Sequence, residues 1–428
     1  MAESGLTRHV EVKQMKLAII GAGQRGMIYA KYAYEKGGAR IAAVVDISSE
    51  KRRIACEDFN IPKEMAFSNT DDFFKLGKIA DAVIIATMDR DHYLQTMKAI
   101  DLGYDILLEK PISPDVDECL KIRDKADEKG VTIVVCHVLR YTRFFSAIKK
   151  VIDSGELGKV ITIQHAENVG NFHMAHSFVR GNWRNSNLSS PIIMQKSCHD
   201  MDILLWLVGS DAKKISSFGN LSFFKKENAP AGATARCLDC PCAAGCRFDG
   251  KKAYLPIRGE WPATVLTEDQ SEEGILKALR EGPYGRCVFD CDNNVCDNQV
   301  TDIEFENGVT ATFHLSGMSN KMHRTIKVMC ENGDIYGDDS EDFITVTKYS
   351  PNTKYEGEER VISVDSEEGF HGGGDYRLTM DFLKAIGHKG EPVEIRSGID
   401  QSVESHLMAY AAERSRVSGK VIFMDEIR

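Results

Sequence analysis

KLAIIGAGQRG, residues 16–26, carries a short apolar run straight into glycines spaced G-x-G-x-x-G at Gly21, Gly23 and Gly26. The pattern predicts a buried strand, a tight turn and the start of a helix. Each glycine has its own reason: the first makes the turn, the second lets backbone approach a pyrophosphate, and the third lets helix pack on strand. The next apolar run, ARIAAVVD at 39–46, places Asp46 twenty residues beyond Gly26. A carboxylate there can accept hydrogen bonds from both hydroxyls of an adenine ribose and repels a 2′-phosphate, so NAD is expected over NADP. Lys51, Arg52 and Arg53 lie close enough to soften that preference. Gln24 and Arg25 complete the expected dinucleotide turn, and Thr87 and Met88 fall where a loop would line the nicotinamide-ribose side.

Working outward, DAVIIAT (81–87), DILLEK (105–110) and TIVVCH (132–137) are further apolar runs bounded by polar or glycine residues. Helical patterns lie between the runs at Met27 to Lys36, Ser49 to Phe59, His92 to Leu102 and 113–129. The last has Ser113 as N-cap, Pro114 at the first helical position and Gly130 past its end. Such alternation predicts βαβ units and a doubly wound parallel sheet over residues 15–140, behind a polar tail at 1–14. Residues 141–428 change character, with longer polar strands and hairpin signals at Asn307-Gly308 and Asn332-Gly333. They predict an α+β domain with an antiparallel sheet. A turn-rich segment at about 223–298 holds seven cysteines and little periodicity, so it reads as an insertion without its own core.

Composition narrows the function classes. A net charge of −10 with no basic run gives no electrostatic basis for nucleic-acid binding. No window nears the eighteen or so apolar residues of a spanning helix, and the polar N-terminus carries no secretory pattern, so a cytoplasmic protein without membrane contact is expected. There, the 12 cysteines should be thiols, metal ligands or core residues rather than disulfides.

LLEKPIS puts Glu109 and Lys110 at the carboxyl end of a buried strand, where doubly wound sheets keep their ligands. Lys110 can supply charge and a hydrogen bond to a substrate hydroxyl, with Glu109 orienting it. Further along, IMQKSCHDMDI (193–203) opens a helix expected from Lys196 to Val208, with Lys196, His199 and Asp202 at three-residue spacing along one face. Cys198 and His199 are adjacent and point about 100° apart, which excludes a thiolate pair.

With the GxGxxG opening, these segments resemble the Gfo/Idh/MocA family of oxidoreductases, which includes glucose-fructose oxidoreductase and inositol dehydrogenases. The resemblance runs through His92 in DRDHYLQTMKAIDLGYDILLEKP, Arg140-Tyr141, SGELGKV (154–160), the HDMDILLWL helix and HGGGD (371–375). It implies a bound nicotinamide cofactor and a C-terminal domain whose large open sheet joins homodimers or homotetramers. It also implies Lys110 and His199 at the reacting carbon, with His199 as the base. Relatives carry an aspartate four residues before that histidine, where this chain has Gln195.

HAENVGNFHMAHSFVRGNWR, residues 165–184, offers His165, Glu167, Trp183 and Arg184 for a carbohydrate, whose hydroxyls need partners and whose apolar face stacks on aromatics. Arg140, Tyr141, Lys196, Asp202 and His371 complete the expected substrate set. RCLDCPCAAGCRFDG suggests a structural zinc held by Cys237, Cys240 and Cys246, with Cys242 or Cys291 as fourth ligand. The expected activity is NAD-dependent oxidation of a secondary hydroxyl on a sugar, cyclitol or glycoside. The alternatives are an NAD-dependent glycosidase acting by transient oxidation, and a non-catalytic NAD-binding sensor or scaffold.

Overall fold

The computed structural model describes residues 14–351, 354, 357–365, 370–388 and 395–428. Six parallel strands form the first sheet: β1 (Lys16–Ile20), β2 (Arg40–Val45), β3 (Ala66–Phe67), β4 (Ala82–Ile85), β5 (Asp105–Leu108) and β6 (Ile133–Val135). Their order, β3-β2-β1-β4-β5-β6, is that of a doubly wound dinucleotide-binding sheet. The central strands are fully buried because helices cover both faces, which is why they read as unbroken apolar runs. Helix α1 (Gln24–Glu35) follows β1 directly, α2 (Ser49–Phe59) follows β2, and α3 (His92–Asp101) and α4 (Val116–Lys129) flank β5.

Two helix starts around the first sheet differ from expectation, for identifiable reasons. Helix α1 begins at Gln24, not Met27, because Gly23 in extended backbone serves as its N-cap. Asp115, not Ser113, caps α4, its carboxylate accepting from the Glu118 N–H at 3.1 Å, while Ser113 Oγ accepts from the Asp115 N–H.

The second sheet has nine strands: β7 (Val160–Asn168), β8 (Ala212–Asn220), β9 (Asn298–Phe305), β10 (Thr310–Ser316), β11 (His323–Cys330), β12 (Gly333–Asp338), β13 (Phe343–Lys348), β14 (Glu358–Ser363) and β15 (Ile422–Phe423). They run in the order β14-β13-β12-β11-β7-β10-β9-β8-β15, antiparallel except where β10 meets β7. Asn307-Gly308 does form the β9–β10 turn, with Gly308 at φ +85°. The second signal also marks a hairpin: β11 and β12 pair antiparallel across Glu331 and Asn332, and Gly333 opens β12, where a Cβ would sit 2.3 Å from the Thr347 carbonyl oxygen. One face of the sheet carries α5 (Arg143–Ser154) and α6 (Cys198–Val208); exposed Phe218, Ile161, Tyr336 and Val361 also belong to its strands.

The chain then returns to the first sheet. Helix α7 (Gly374–Gly387) buries Leu378 and Phe382 in the same core as Tyr29 and Ala33 of α1. The Ser397 carbonyl accepts from the Val135 N–H at 2.9 Å just before α8 (Ile399–Ser418), which continues into the second core. The insertion also differs from expectation: Tyr254, Ala263, Ile275, Leu279 and Tyr284 give it a small core of its own. Short helices spaced by turns hide that core from a periodicity search.

Candidate active site

The dinucleotide turn lies at the carboxyl ends of β1 and β2. A Cβ at Gly21 would lie 2.5 Å from the Ala86 carbonyl oxygen, and one at Gly26 would lie 2.1 Å from the Gly21 carbonyl oxygen. A Cβ at Gly23 would meet nothing within 4 Å. Packing therefore dictates two of the glycines, while the third keeps open the space that a pyrophosphate would approach. Gly23→Ala is accordingly expected to fold like the parent and lose NAD affinity at least about tenfold, whereas Gly26→Ala is expected to lower the melting temperature. Calorimetry of NAD binding and thermal melts of both variants check this.

Asp46 is held by the Ala22 N–H at 2.9 Å on one oxygen and the Ser48 N–H at 2.8 Å on the other. Two of the three basic residues behind it, Arg52 and Arg53, are engaged within the protein. Arg52 donates to the Asp46 carbonyl oxygen at 2.7 Å, and Arg53 pairs with Glu50 and Glu57. Ile47 beside Asp46 is 92% exposed, an apolar surface an adenine ring would cover. Gln24 is exposed on the turn and Thr87 donates to Gln95 Oε1 at 2.7 Å. His92 is turned to the backbone, with ring nitrogens 2.8 Å from the Pro111 oxygen and 3.2 Å from the Thr87 oxygen.

The end of β5 meets α6 across the two sheets. Lys110 Nζ donates to the Gln195 carbonyl oxygen at 2.7 Å, so the lysine reaches the turn just before His199. Glu109 accepts from Arg25 Nε and Tyr29 Oη, both at 2.8 Å, and from the Lys110 N–H at 2.9 Å. Burial opposes its charge, yet Arg25 and Lys110 hold its carboxyl below the usual range. Arg25, placed in the sequence only as part of the turn, thus ties the turn to β5 and also to Asp375 of α7.

Helix α6 starts at Cys198 rather than Lys196, after a separate turn at Ile192–Gln195. Lys196 therefore lies outside the helix. Its ammonium stands 3.5 Å from Glu167 on β7, and burial lowers its pKa while Glu167 opposes that fall. His199 is buried and its Nδ1 has no partner, which leaves Nε2 as the nitrogen accessible to a substrate. Burial first, then Lys110, His137 and Arg324, hold its pKa well below the ordinary value, so the imidazole is neutral. Gln195 donates its amide to the Ser190 carbonyl, and its Oε1 is buried without a partner.

Other expected substrate residues are engaged within the protein. Asp202 and Arg140 form a bidentate pair with both bonds 2.7 Å long, and Tyr141 Oη lies 3.3 Å from Ser397 Oγ. His165 is 2.9 Å from Asp200, whose carboxyl Arg324 and His165 bring down to about 2 against the effect of burial. Arg184 pairs with Asp292 at 2.7 Å, near half-exposed Trp183. His371 stands in the site, its ring centroid 6.5 Å from that of His199 and its Nδ1 2.9 Å from Asp375.

Several residues here were not anticipated. Arg324 on β11 pairs with both Asp200 and Glu167, and His137 at the end of β6 lies 5.8 Å from His199. Trp261 of the insertion lies 5.1 Å from His173, whose Nδ1 is 3.2 Å from the Met322 sulfur. TIVVCH carried the signal for His137, as a polar residue at a strand's carboxyl end; Trp261 and Arg324 had none.

In the insertion, Cys237, Cys240, Cys242, Cys246 and Cys287 line one cavity of ≈ 20 Å³ beside Arg180, which donates to the Cys237 sulfur at 3.2 Å. Cys291 does not line it; its thiol donates to the Cys287 carbonyl. Among the described residues, no three His, Cys, Asp or Glu side chains are drawn together as metal ligands. Nor is any described helix long and apolar enough to cross a membrane.

Comparison with known proteins shows the family and the fold. Residues 15–137 match the model of the oxidoreductase family's NAD-binding Rossmann fold, and residues 149–422 match that family's C-terminal alpha/beta domain. An inositol 2-dehydrogenase of Arthrobacter sp. (strain FB24) is 31% identical over 286 residues, 66% of this chain and 79% of that protein. That of Klebsiella pneumoniae (strain 342) is 26% identical over 203 residues, 47% of this chain and only 56% of that protein. A solved oxidoreductase of Agrobacterium radiobacter, in complex with NAD+, L-tartaric acid and magnesium, shares the fold at TM-score 0.70. It has 14% identity and covers 97% of this chain and 100% of its own.

Proposed function

Because the chain belongs to the Gfo/Idh/MocA oxidoreductase family, we propose that it oxidises a secondary hydroxyl of a sugar, cyclitol or glycoside, with NAD taking the hydride. The observation that carries this reading is the 2.7 Å bond from Lys110 Nζ to the Gln195 carbonyl. It carries the Lys110 cation from the first sheet to the turn that precedes His199, whose imidazole feels that charge. Gly21, Gly23, Gly26 and Asp46 would hold NAD, which supplies the carbon that accepts the hydride.

A substrate hydroxyl placed there would share the Lys110 ammonium and lie against His199 Nε2. Lys110 stabilises negative charge growing on the oxygen, and His199 accepts the proton, work suited to a neutral base. Lys196 and Glu167 would bind neighbouring hydroxyls, with His371 and Trp261 at the rim. Inositol 2-dehydrogenases among the relatives make cyclitols the first compounds to test.

The test is a panel of cyclitols, sugars and nitrophenyl glycosides assayed for NADH formation and for aglycone release. NADH formation on a polyol supports the reading. Aglycone release without net NADH would overturn it in favour of a glycosidase, and a protein that binds NAD but turns over nothing would be a sensor.

Three finer assignments accompany it. The five thiols around one cavity, turned inward as thiolates, would hold structural zinc through Cys237, Cys240 and Cys246, with Cys242 or Cys287 as fourth ligand. Elemental analysis of the purified protein is expected to give about one zinc per chain, and a content near zero overturns the assignment. The exposed apolar residues of the nine-stranded sheet suit a homodimer or homotetramer. Twelve unpaired cysteines suit the cytoplasm.

A further inference from the structure

Among the described residues, His199 bonds no carboxylate that could receive or stabilise its proton. The position four residues earlier is Gln195, whose amide is engaged with Ser190. Lys110 from β5, Arg324 from β11, His137 beyond β6 and His371 before α7 all face the imidazole, and each disfavours an imidazolium there. A proton taken from substrate by this ring therefore needs a further acceptor.

One other ring in the site has what His199 lacks. His371 Nδ1 lies 2.9 Å from Asp375 Oδ2, so a neutral His371 donates through Nδ1 and presents Nε2 as acceptor. Arg25 from α1 anchors the same carboxylate from the other side. The His371 side chain is 40% exposed, against a buried Asp375, which gives the pair a route to solvent.

The backbone points the same way. Among the described residues only Asn60 and His371 are non-glycine residues with positive φ. Asn60 caps the end of α2, an ordinary place for it. His371, at φ 48° and ψ 42° and followed by Gly372 at φ 54°, has no such excuse; the strained loop delivers its ring to the pocket. The 6.5 Å between the His199 and His371 centroids can be spanned by one oxygen that makes hydrogen bonds of about 2.8 Å to both rings.

We infer that the His371–Asp375 pair carries the substrate proton from His199 to solvent. This rests on the function proposed above. NAD held at the dinucleotide turn would supply the hydride acceptor, and the substrate O–H bond would break toward His199 Nε2 as the carbonyl forms. The proton passes through a bridging water to His371 Nε2, Asp375 stabilises the resulting imidazolium, and solvent takes the proton. One hydride and one proton leave the alcohol, so the step balances. His371 acts through His199 and is a positioning residue for proton flow.

The test compares wild type, His371→Ala and His371→Gln on a polyol the wild type oxidises. Both variants are expected to lose about 10- to 100-fold in kcat with KM little changed. Added imidazole should restore turnover in the alanine variant. Glutamine keeps hydrogen bonding but cannot carry a proton, so recovery of kcat in His371→Gln would mean that His371 only binds substrate and would overturn the relay. So would an alanine variant that matches wild type, or one that imidazole does not rescue. A wild type inactive on the whole panel overturns the proposed function and the relay together; an active wild type with unaffected variants overturns the relay alone.

Discussion

Lys110→Ala is expected to lower kcat about 10²- to 10⁴-fold, the range for losing a group that moves or stabilises a proton in the transition state. The variant should still bind NAD, because the dinucleotide turn is built from backbone and Asp46, which Lys110 does not touch. Among the described residues the ammonium donates only to the Gln195 carbonyl, so alanine is expected to leave one carbonyl short of a donor and the fold intact. His199 then loses the charge that, after burial, most opposes its protonation, and its basicity should rise even as turnover falls. Stopped-flow measurement of NADH formation, beside calorimetry of NAD binding, separates the two. A loss of NAD affinity equal to the loss of kcat would show that Lys110 serves the cofactor and not the hydroxyl.

Arg140→Leu is expected to destabilise the protein by about 3–5 kcal/mol, the cost of leaving one half of a buried pair alone. Arg140 is 1% exposed and Asp202 fully buried, and the guanidinium also donates to Gln401 Oε1 at 2.6 Å and to the Arg396 carbonyl. The residues joined are the segment after β6, helix α6 and the start of α8, so the pair fastens three distant parts of the chain beneath the site. Burial raises the Asp202 carboxyl even with Arg140 pulling it down, and without Arg140 it rises further. A group whose folded pKa lies above its unfolded value contributes stability at low pH and loses it as pH rises through the folded pKa. The variant should therefore lose least near the unfolded carboxylate pKa of about 3.9 and more toward neutrality. Urea unfolding of parent and variant at several pH values checks both size and slope, and a penalty that shrinks as pH rises would contradict this account.

The parts of the molecule legible in the sequence are those whose cause is local. KLAIIGAGQRG announces strand, turn and helix because three glycines at fixed spacing leave few other conformations. LLEKPIS announces a ligand-facing lysine because the carboxyl ends of parallel strands converge on one crevice. The insertion was misread as coreless because its small core is assembled from turns and helices only a few residues long, such as Gly250–Tyr254 and Ala263–Leu266. Asp202 fits the spacing of a site residue, yet its face of α6 meets Arg140 and not the pocket. Spacing tells which residues share a face but not what that face meets.

By itself, the sequence determined the doubly wound first sheet and its glycine turn with Asp46 at the end of the next strand; the pairing of Lys110 with His199 came only as what a family resemblance implies. Tertiary structure alone decided how these groups work. It set Lys110 against the Gln195 carbonyl 85 residues away, and fastened Arg25 to Asp375 across 350 residues. It left His199 neutral among cations while giving a carboxylate to His371. The reason is physical: periodicity and turn chemistry act over a few residues, whereas the charge on a buried imidazole depends on whichever distant groups fold into the same low-dielectric space.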